Sequence, residues 1–324
     1  MKTEQGGCKE LSLRRTASFL KKYDNYVILT HASPDGDTLG SAYALYYGLK
    51  ERGKQAVVLC PDVIPNKYSY FVTETDHIDK ENVKVIAVDV ADKKLLGDLE
   101  TQFGDIVDLT IDHHISNTRY SKFLYLDANA SATCEIIFEL LMLLKVNING
   151  KTAKALYTGI ATDTGCFKYS NVTAKTHMIA ASLYEYDIEA EEITRLMFDT
   201  KSKKLLELER MVLDTAEYHF DDKCIILSVT EEMQIKTGCS GTDLEGIAVI
   251  SRSVEGVKAG VTLKQTDDNK FKVSLRTYPP LDASAICKKL GGGGHKGAAG
   301  ATVEGTLDEV KAQVIAAVKE VMEG

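Results

Sequence analysis

Short apolar runs alternate with amphipathic stretches over the first two-thirds of the chain. Runs rich in β-branched residues are typical of buried strands, and apolar positions spaced three or four residues apart predict helices. The predicted strands are Tyr26–Thr30, Ala56–Cys60, Val83–Val88 and Ile106–Ile111. The first predicted helix carries Leu39, Tyr43, Tyr46 and Leu49 and stops at Gly53. The other predicted helices are Ala132–Lys145, Thr152–Thr162 and Ala174–Glu185. This alternation favours an α/β fold with a mostly parallel sheet flanked by helices.

The pattern changes after about Tyr186. Two charged stretches without glycine or proline predict connecting helices, and strand-like runs, a helix, a glycine cluster and a terminal helix from Leu307 follow them. The connecting helices are Glu189–Phe198 and Lys203–Tyr218, and the strands are Cys224–Val229, Val257–Lys264 and Phe271–Arg276. We therefore predict a larger α/β domain over 1–186, a helical linker over 187–218 and a smaller α/β domain over 219–324.

Composition narrows the class of protein. The chain has 324 residues, 44% hydrophobic and 27% charged, which excludes wholesale disorder. Its net charge of −8 argues against stable binding of duplex DNA, since that role usually needs a basic surplus. No apolar run has the length of a membrane span, and the N-terminus lacks the apolar core of a secretory signal. Because no run is long enough to span a membrane, we expect no membrane partner. The seven cysteines are scattered without a CxxC pair, so we expect a cytoplasmic protein.

Imidazoles and carboxylates follow several of these elements where each one ends. They are His31, Asp35 and Asp37 after the first strand, Asp89 after the third, Asp112, His113 and His114 after the fourth, and Asp163 within a small-residue stretch. Ligands of open α/β sheets bind beyond the carboxyl ends of strands. Carboxylate and imidazole without thiolate suit Mn²⁺, Mg²⁺ or Fe²⁺ better than structural zinc, and this set suffices for two ions. The alternative is a series of ordinary polar loops, in which Asp37 or Thr38 only caps a helix.

A second candidate site lies near the end of the chain. Four consecutive glycines, Gly291–Gly294, are followed by His295 and Lys296. Backbone N–H groups of such a run can converge on an anion, but the spacing is not that of a Walker loop. Arg276 ends a predicted strand and offers a bidentate clamp for phosphate or carboxylate. A flexible turn and a solvated surface arginine are the alternatives.

Taken in order, these motifs resemble those of the DHH phosphoesterase superfamily. The residues that carry the resemblance are the stretch from His31 to Ser41 (HASPDGDTLGS), Val88-Asp89, Asp112-His113-His114, and Gly159 to Gly165 (GIATDTG). Val273 to Arg276 (VSLR) together with Gly291–Gly300 resembles the accessory DHHA1 domain. The resemblance spans nearly the whole chain, and its two-domain length is most similar to the nanoRNase and pAp-phosphatase branch.

The resemblance implies roles for individual residues. His31 and Asp35 would hold a first metal ion, Asp37, His113 and Asp163 a second, and Asp89 would bridge them. Asp112 would orient a histidine, and His114 would face the scissile phosphate with help from Asn117. In the second domain, Arg276, Gly293, Gly294 and His295 would contact the substrate. Two divalent ions are implied, Mn²⁺ first, with Mg²⁺ or Co²⁺ as alternatives.

The function implied by the resemblance is metal-dependent hydrolysis, by a metal-bridged hydroxide, of very short oligoribonucleotides such as pApA. The same enzyme would convert 3′-phosphoadenosine 5′-phosphate (pAp) to AMP. The alternatives are a soluble cyclic-dinucleotide phosphodiesterase, a RecJ-like single-strand exonuclease and a non-catalytic nucleotide-binding regulator. Because the metal ligands and Arg276 lie far apart in the chain, we expect both domains to contribute to one cleft. A homodimer is compatible with the sequence.

Overall fold

The computed structural model describes residues 7–75, 82–244 and 246–323. The chain separates into two compact units, Met1–Thr200 and Lys201–Gly324. The point of division lies inside the predicted linker 187–218. Ile193 of this segment packs into the core of the first unit, whereas Leu208 packs into a core of the second. Among the described residues, no helix combines the length and apolar character needed to cross a membrane.

The first unit is built on a six-stranded sheet in the order β1-β6-β5-β4-β2-β3, and every neighbouring pair is parallel. The strands are β1 (Lys9–Glu10), β2 (Asn25–Leu29), β3 (Gln55–Leu59), β4 (Lys84–Val88), β5 (Leu109–Asp112) and β6 (Phe123–Leu126). The predicted parallel α/β sheet is therefore confirmed.

Helices connect and cover these strands. They are α1 (Leu13–Lys22), α2 (Gly36–Glu51), α3 (Glu100–Phe103), α4 (Thr133–Leu143), α5 (Gly150–Asp163), α6 (Ala174–Leu183) and α7 (Ala190–Thr194). Helical turns of 3₁₀ or π type occupy Asn66–Tyr68, Lys93–Leu99, Tyr184–Tyr186 and Arg195–Asp199.

The core lies on both faces of this sheet because side chains alternate along each strand. In β2, Tyr26 and Ile28 pack into the large cluster formed with α1, α2, α4 and α5. Val27 and Leu29 point to the opposite face, where they pack with the helical turn that follows β4 and with Phe103 of α3. Both faces of the strands are thus buried, which explains their nearly continuous apolar sequence.

The second unit is built on a mixed six-stranded sheet in the order β11-β12-β10-β9-β8-β7. Its strands are β7 (Glu217–His219), β8 (Cys224–Val229), β9 (Ala259–Asp267), β10 (Lys270–Thr277), β11 (Gly293–His295) and β12 (Ala298–Glu304). Its helices are α8 (Lys203–Leu213), α9 (Glu231–Thr237), α10 (Ile247–Ile250), α11 (Ala283–Lys289) and α12 (Leu307–Glu323), with a 3₁₀ turn at Gly241–Leu244. Helices α11 and α12 cover one face, and α8 and α10 cover β8 on the other.

Several boundaries differ from the sequence predictions. The fourth predicted strand begins later, at Leu109, because residues 104–106 form a turn. The helix predicted over Lys203–Tyr218 ends at Leu213, and Glu217–His219 pairs with β8 as an edge strand. The glycine cluster is partly a strand, since Gly293–His295 pairs with β12. Strands β1, β6 and β12 and helices α1, α3, α9 and α10 are not among the predicted elements.

Glycines allow α2, α4 and α5 to pack unusually closely. A Cβ atom on Gly40 of α2 would lie 2.4 Å from the carbonyl oxygen of Ala155 in α5. A Cβ atom on Gly159 of α5 would lie 2.2 Å from Sγ of Cys134 in α4 and 2.9 Å from Oδ1 of Asp37 in α2. Real Cβ atoms do not approach other atoms this closely, so only glycine fits at these contacts.

We predict that Gly159→Ala lowers the free energy of unfolding by about 2 kcal/mol, because the added methyl group overpacks the contact. Denaturant unfolding measures the change. Gly150→Ala in the same helix is the control, since its Cβ would meet only the carbonyl oxygen of Tyr186, at 3.4 Å. Adding Cys134→Ala to the Gly159→Ala variant should restore part of the lost free energy of unfolding, because it removes the Sγ atom that the new methyl group meets. Equal stability of the two alanine variants would contradict the close contact.

Candidate metal centre

The order of the strands brings three chain segments together at one edge of the first sheet. Strand β4 lies between β2 and β5, so Asp89, which follows β4, lies between His31 and His113. Nε2 of His31 is 3.7 Å from Oδ2 of Asp89, and Nε2 of His113 is 3.7 Å from Oδ1. Each carboxylate oxygen of Asp89 therefore faces a different histidine.

Helix α2 adds a second carboxylate on the His31 side. Asp35 is the N-cap of α2, and its Oδ1 accepts the N–H groups of Asp37 and Thr38, both at 3.0 Å. The same Oδ1 lies 3.6 Å from Nε2 of His31. The capping role considered for Asp37 or Thr38 thus belongs to Asp35, and capping places Asp35 in the site.

Asp37 connects α2 to the start of α4. Its buried carboxylate accepts the N–H of Thr133 at 2.6 Å and that of Cys134 at 2.9 Å. The first turn of a helix has unpaired N–H groups and a positive dipole end, which stabilise a carboxylate there. Asp37 Oδ2 is 3.9 Å from Nε2 of His113, and Asp163 Oδ2 of α5 is 3.4 Å from the same atom.

Backbone hydrogen bonds orient the rings of both histidines toward the carboxylates. Nδ1 of His31 is 2.8 Å from the carbonyl oxygen of Ala32, and Nδ1 of His113 is 3.0 Å from that of Ala130. A carbonyl only accepts, so Nδ1 of each ring carries a proton, and Nε2 is the nitrogen that faces the carboxylates and would bind a cation. The donor atoms form overlapping groups within 4.8 Å, which include His31–Asp35–Asp89 and Asp37–His113–Asp163. These residues fit divalent cations.

The pKa shifts in this cluster also favour a site for a divalent cation. Burial raises the pKa of Asp37, and the charges of Asp89, Asp163 and Asp35 raise it further. Burial also raises the pKa of Asp163, to about 7. For His31 burial opposes protonation, but the interactions with the carboxylates of Asp35 and Asp89 outweigh it and raise the pKa to about 11. The cluster therefore retains protons in place of the positive charge that a divalent cation would supply.

Asp112 and Asn117 support His114 and do not belong to the two groups around Asp89. Oδ1 of Asp112 accepts the Nδ1–H of His114 at 2.8 Å and also two backbone N–H groups, of His113 and His114. Burial opposes ionisation of Asp112, but these donors outweigh it and hold its pKa below its usual value. Because Nδ1 is bonded to Asp112, Nε2 of His114 is the nitrogen left to face a ligand. Burial likewise opposes protonation of His114, yet Asp112 raises its pKa to about 9.

Asn117 is held by hydrogen bonds at both ends of its side-chain amide. We expected it to contact substrate, but it is buried, and its Nδ2 donates to Oδ2 of Asp112 at 2.7 Å. Its Oδ1 accepts the N–H of Arg119 at 2.8 Å. Both ends of the amide are therefore used inside the protein, and Asn117 holds Asp112 in place.

In the second unit, Arg276 and His295 share one face of the sheet. Arg276 of β10 pairs with Ala298 of β12, which pairs with His295 of β11, and directly paired residues point to the same side. Across the next row of that face, Ser274 pairs with Gly300 and Gly300 with Gly293. Small residues thus lie beside the arginine and the histidine. The last glycine, Gly294, has a φ of 146° and pairs with Ala299.

The sequence interpretation missed the groups that support the metal centre. Thr133 donates its hydroxyl to Oδ1 of Asp89 at 2.8 Å in addition to its N–H to Asp37, and Ala130 accepts from His113. These residues follow β6, whose short apolar sequence Phe123–Leu126 was a signal for a strand.

Together, fold and site define a two-domain α/β protein with a centre of aspartates and histidines suited to divalent cations. The chain belongs to the DHH family: residues 25–160 match the DHH family N-terminal domain, and residues 221–324 match the DHHA1 domain. It is 33% identical over 317 residues to the bifunctional oligoribonuclease and PAP phosphatase NrnA of Thermus thermophilus, covering 95% of this chain and 94% of that relative. The family assignment predicted from the motifs is confirmed.

Solved structures share the fold. An exopolyphosphatase-related protein from Bacteroides fragilis superposes with a TM-score of 0.83 at 24% identity, covering 95% of each chain. RecJ of Thermus thermophilus, solved in complex with Mn²⁺, has a TM-score of 0.53 at 16% identity, covering 95% of this chain and 55% of RecJ.

We predict that Asn117→Ala lowers the free energy of unfolding by about 1–3 kcal/mol, because it leaves a buried carboxylate oxygen of Asp112 without its donor. Thermal and denaturant unfolding measure the loss. Thr118→Ala, at the exposed neighbouring position, is the control and should change stability little. An Asn117→Ala protein as stable as the Thr118→Ala protein would contradict the supporting role.

Proposed function

We propose that this protein is a metal-dependent phosphoesterase that hydrolyses very short oligoribonucleotides such as pApA to mononucleotides, and pAp to AMP. The observation that carries the proposal is the position of Asp89 between two groups of ligands. Its two oxygens face His31 and His113, at 3.7 Å each. The similarity to a bifunctional oligoribonuclease and PAP phosphatase over nearly the whole chain supports this choice of substrates.

The ligands divide into two groups that share Asp89. His31 and Asp35 would hold one ion, and Asp37, His113 and Asp163 the other. When bound, the two ions supply Lewis acidity toward water and a phosphate oxygen. We propose Mn²⁺, because the donors are oxygen and imidazole only. Mg²⁺ and Co²⁺ are the alternatives.

Residues of the chain orient the reacting groups. Asp112 fixes Nδ1 of His114, which leaves Nε2 to hydrogen bond to the scissile phosphate or to protonate the leaving oxygen. Asn117 and the backbone N–H groups that donate to Asp112 keep this histidine in one orientation. Asp112 and Asn117 are therefore positioning residues, and His114 is the proposed catalytic residue.

The second unit would recognise the rest of the substrate. Arg276 and His295 lie in one row of a sheet face, separated by Ala298, with Gly293 in the next row. A planar guanidinium matches two phosphate oxygens, and glycine leaves room for a ligand to approach the backbone at Gly293, where an added Cβ atom would meet nothing within 4 Å. With short RNA and nucleoside bisphosphates as substrates, we propose a cytoplasmic enzyme that forms no stable complex with duplex DNA.

The test is a comparison of substrates. The purified protein is incubated with Mn²⁺ and, separately, with pApA, pAp, cyclic di-AMP and a 20-nucleotide RNA, and initial rates are measured by chromatography. We expect turnover of pApA and pAp and much slower cleavage of the other two. A faster rate on cyclic di-AMP or on the long RNA would favour the corresponding alternative enzyme. No turnover with tight nucleotide binding would indicate a regulator.

We predict that Asp89→Asn lowers kcat by more than about 100-fold and weakens Mn²⁺ binding measured by calorimetry. Loss of even an outer partner of a metal ligand costs about 10–100-fold, and Asp89 serves both groups. Asparagine tolerates the φ of 60° at this position, so the backbone is preserved. Asp98→Asn, at an exposed position of the following turn, is the control. Normal Mn²⁺ stoichiometry and activity would refute the shared ligand.

We predict that Arg276→Lys lowers kcat/KM on pApA by about tenfold or more, since lysine keeps the charge but loses the planar pair of donors. Mn²⁺ binding should stay the same, because Arg276 is not among the proposed ligands. Arg210→Lys in α8, where the arginine pairs with Glu207, is the control. Unaltered kinetics of Arg276→Lys would show that this arginine does not clamp a phosphate.

A further inference from the structure

An exposed aromatic ring lies next to the metal centre. The side chain of Tyr169 is 39% exposed, although its ring packs on the backbone of Gly165. A Cβ atom on Gly165 would lie 2.3 Å from Cζ of this ring. Gly165 follows the metal-ligand candidate Asp163 by two residues, so their Cα atoms are at most about 8 Å apart. The ring is therefore close enough to the metal centre for a single nucleotide to reach both.

The loop that carries Tyr169 is held in one conformation. The N–H groups of Lys168 and Tyr169 both donate to the carbonyl oxygen of Thr164, at 2.9 and 3.0 Å. Nδ2 of Asn171 donates to the carbonyl oxygen of Asp163 at 3.1 Å, which ties the end of the loop to the metal centre. A ring held in this way loses little conformational entropy when a ligand binds to it.

The neighbouring loops at this edge of the sheet also expose apolar side chains. Val63 follows β3 and is 92% exposed, Leu95 follows β4 and is 44% exposed, and Ile115 follows β5 directly after His114 and is 75% exposed. Apolar groups around a charged centre indicate a ligand with both a charged and an apolar part. A nucleotide has this composition, since its phosphate is charged and its base has two apolar faces.

We propose that Tyr169 stacks on a nucleobase of the substrate while the phosphate lies at the metal centre, which makes Tyr169 a specificity-determining residue. This inference rests on the proposed function. Stacking of a base on an aromatic side chain contributes about 1–3 kcal/mol and tolerates any base. An enzyme that binds in this way selects nucleotides over other phosphoesters without selecting a sequence.

The test is a thermodynamic cycle between the ring and the base. kcat/KM is measured with Mn²⁺ for wild type and Tyr169→Ala on pApA and on two analogues, in each of which one base is replaced by hydrogen. We expect removal of the ring or of the stacked base to lower kcat/KM about tenfold each, and both together to cost no more than either alone. The loss should be mainly in KM. The analogue that shows this coupling identifies the stacked base.

Further variants separate the outcomes. Tyr169→Phe should retain most of the wild-type kcat/KM, because the ring remains, and it also tests the proposal if Tyr169→Ala fails to fold. Tyr218→Ala is the matched control, at a 48% exposed tyrosine on β7, the strand at the opposite edge of its sheet from β11. Independent, multiplying losses from ring and base would overturn stacking. If wild type cleaves neither pApA nor its analogues, the proposed function itself fails.

Discussion

The metal centre depends on the buried carboxylate of Asp37 and the close packing around it. Asp37 accepts two N–H groups from the first turn of α4, so the start of that helix is attached to the start of α2. Gly159 lets α5 approach the same point, where any side chain would collide with Asp37 or Cys134. Asp163, at the end of α5, reaches His113 only because these helices pack without intervening side chains.

This arrangement concentrates negative charge, which is costly for a folded protein in the absence of a cation. Burial and mutual repulsion raise the pKa of Asp37, and Asp89 is held at a φ of 60°, which is unfavourable for most residues. The surrounding hydrogen bonds stabilise these groups in position. A centre built in this way is preorganised for divalent cations.

Much of the site was predictable because strand ends are easy to recognise. An apolar run followed by Asp or His, as at His31 and Asp89, places the polar group at the carboxyl edge whichever helices surround it. The supporting residues carried no comparable signal. Asn117 was expected to contact substrate, but hydrogen bonds to Asp112 and Arg119 occupy its amide. A polar residue two or three positions beyond a motif has the same local pattern in either role, so the sequence could not decide between them.

The sequence by itself determined the alternation of strands and helices, the chemical type of the ligands and the family. It could do so because apolar periodicity and donor type are local properties of the chain. The tertiary structure alone decided that β4 lies between β2 and β5, and hence that Asp89 lies between two histidines. It also decided that Tyr169 packs on Gly165 and remains exposed. Strand order and ring orientation result from packing between distant segments, which no local pattern encodes.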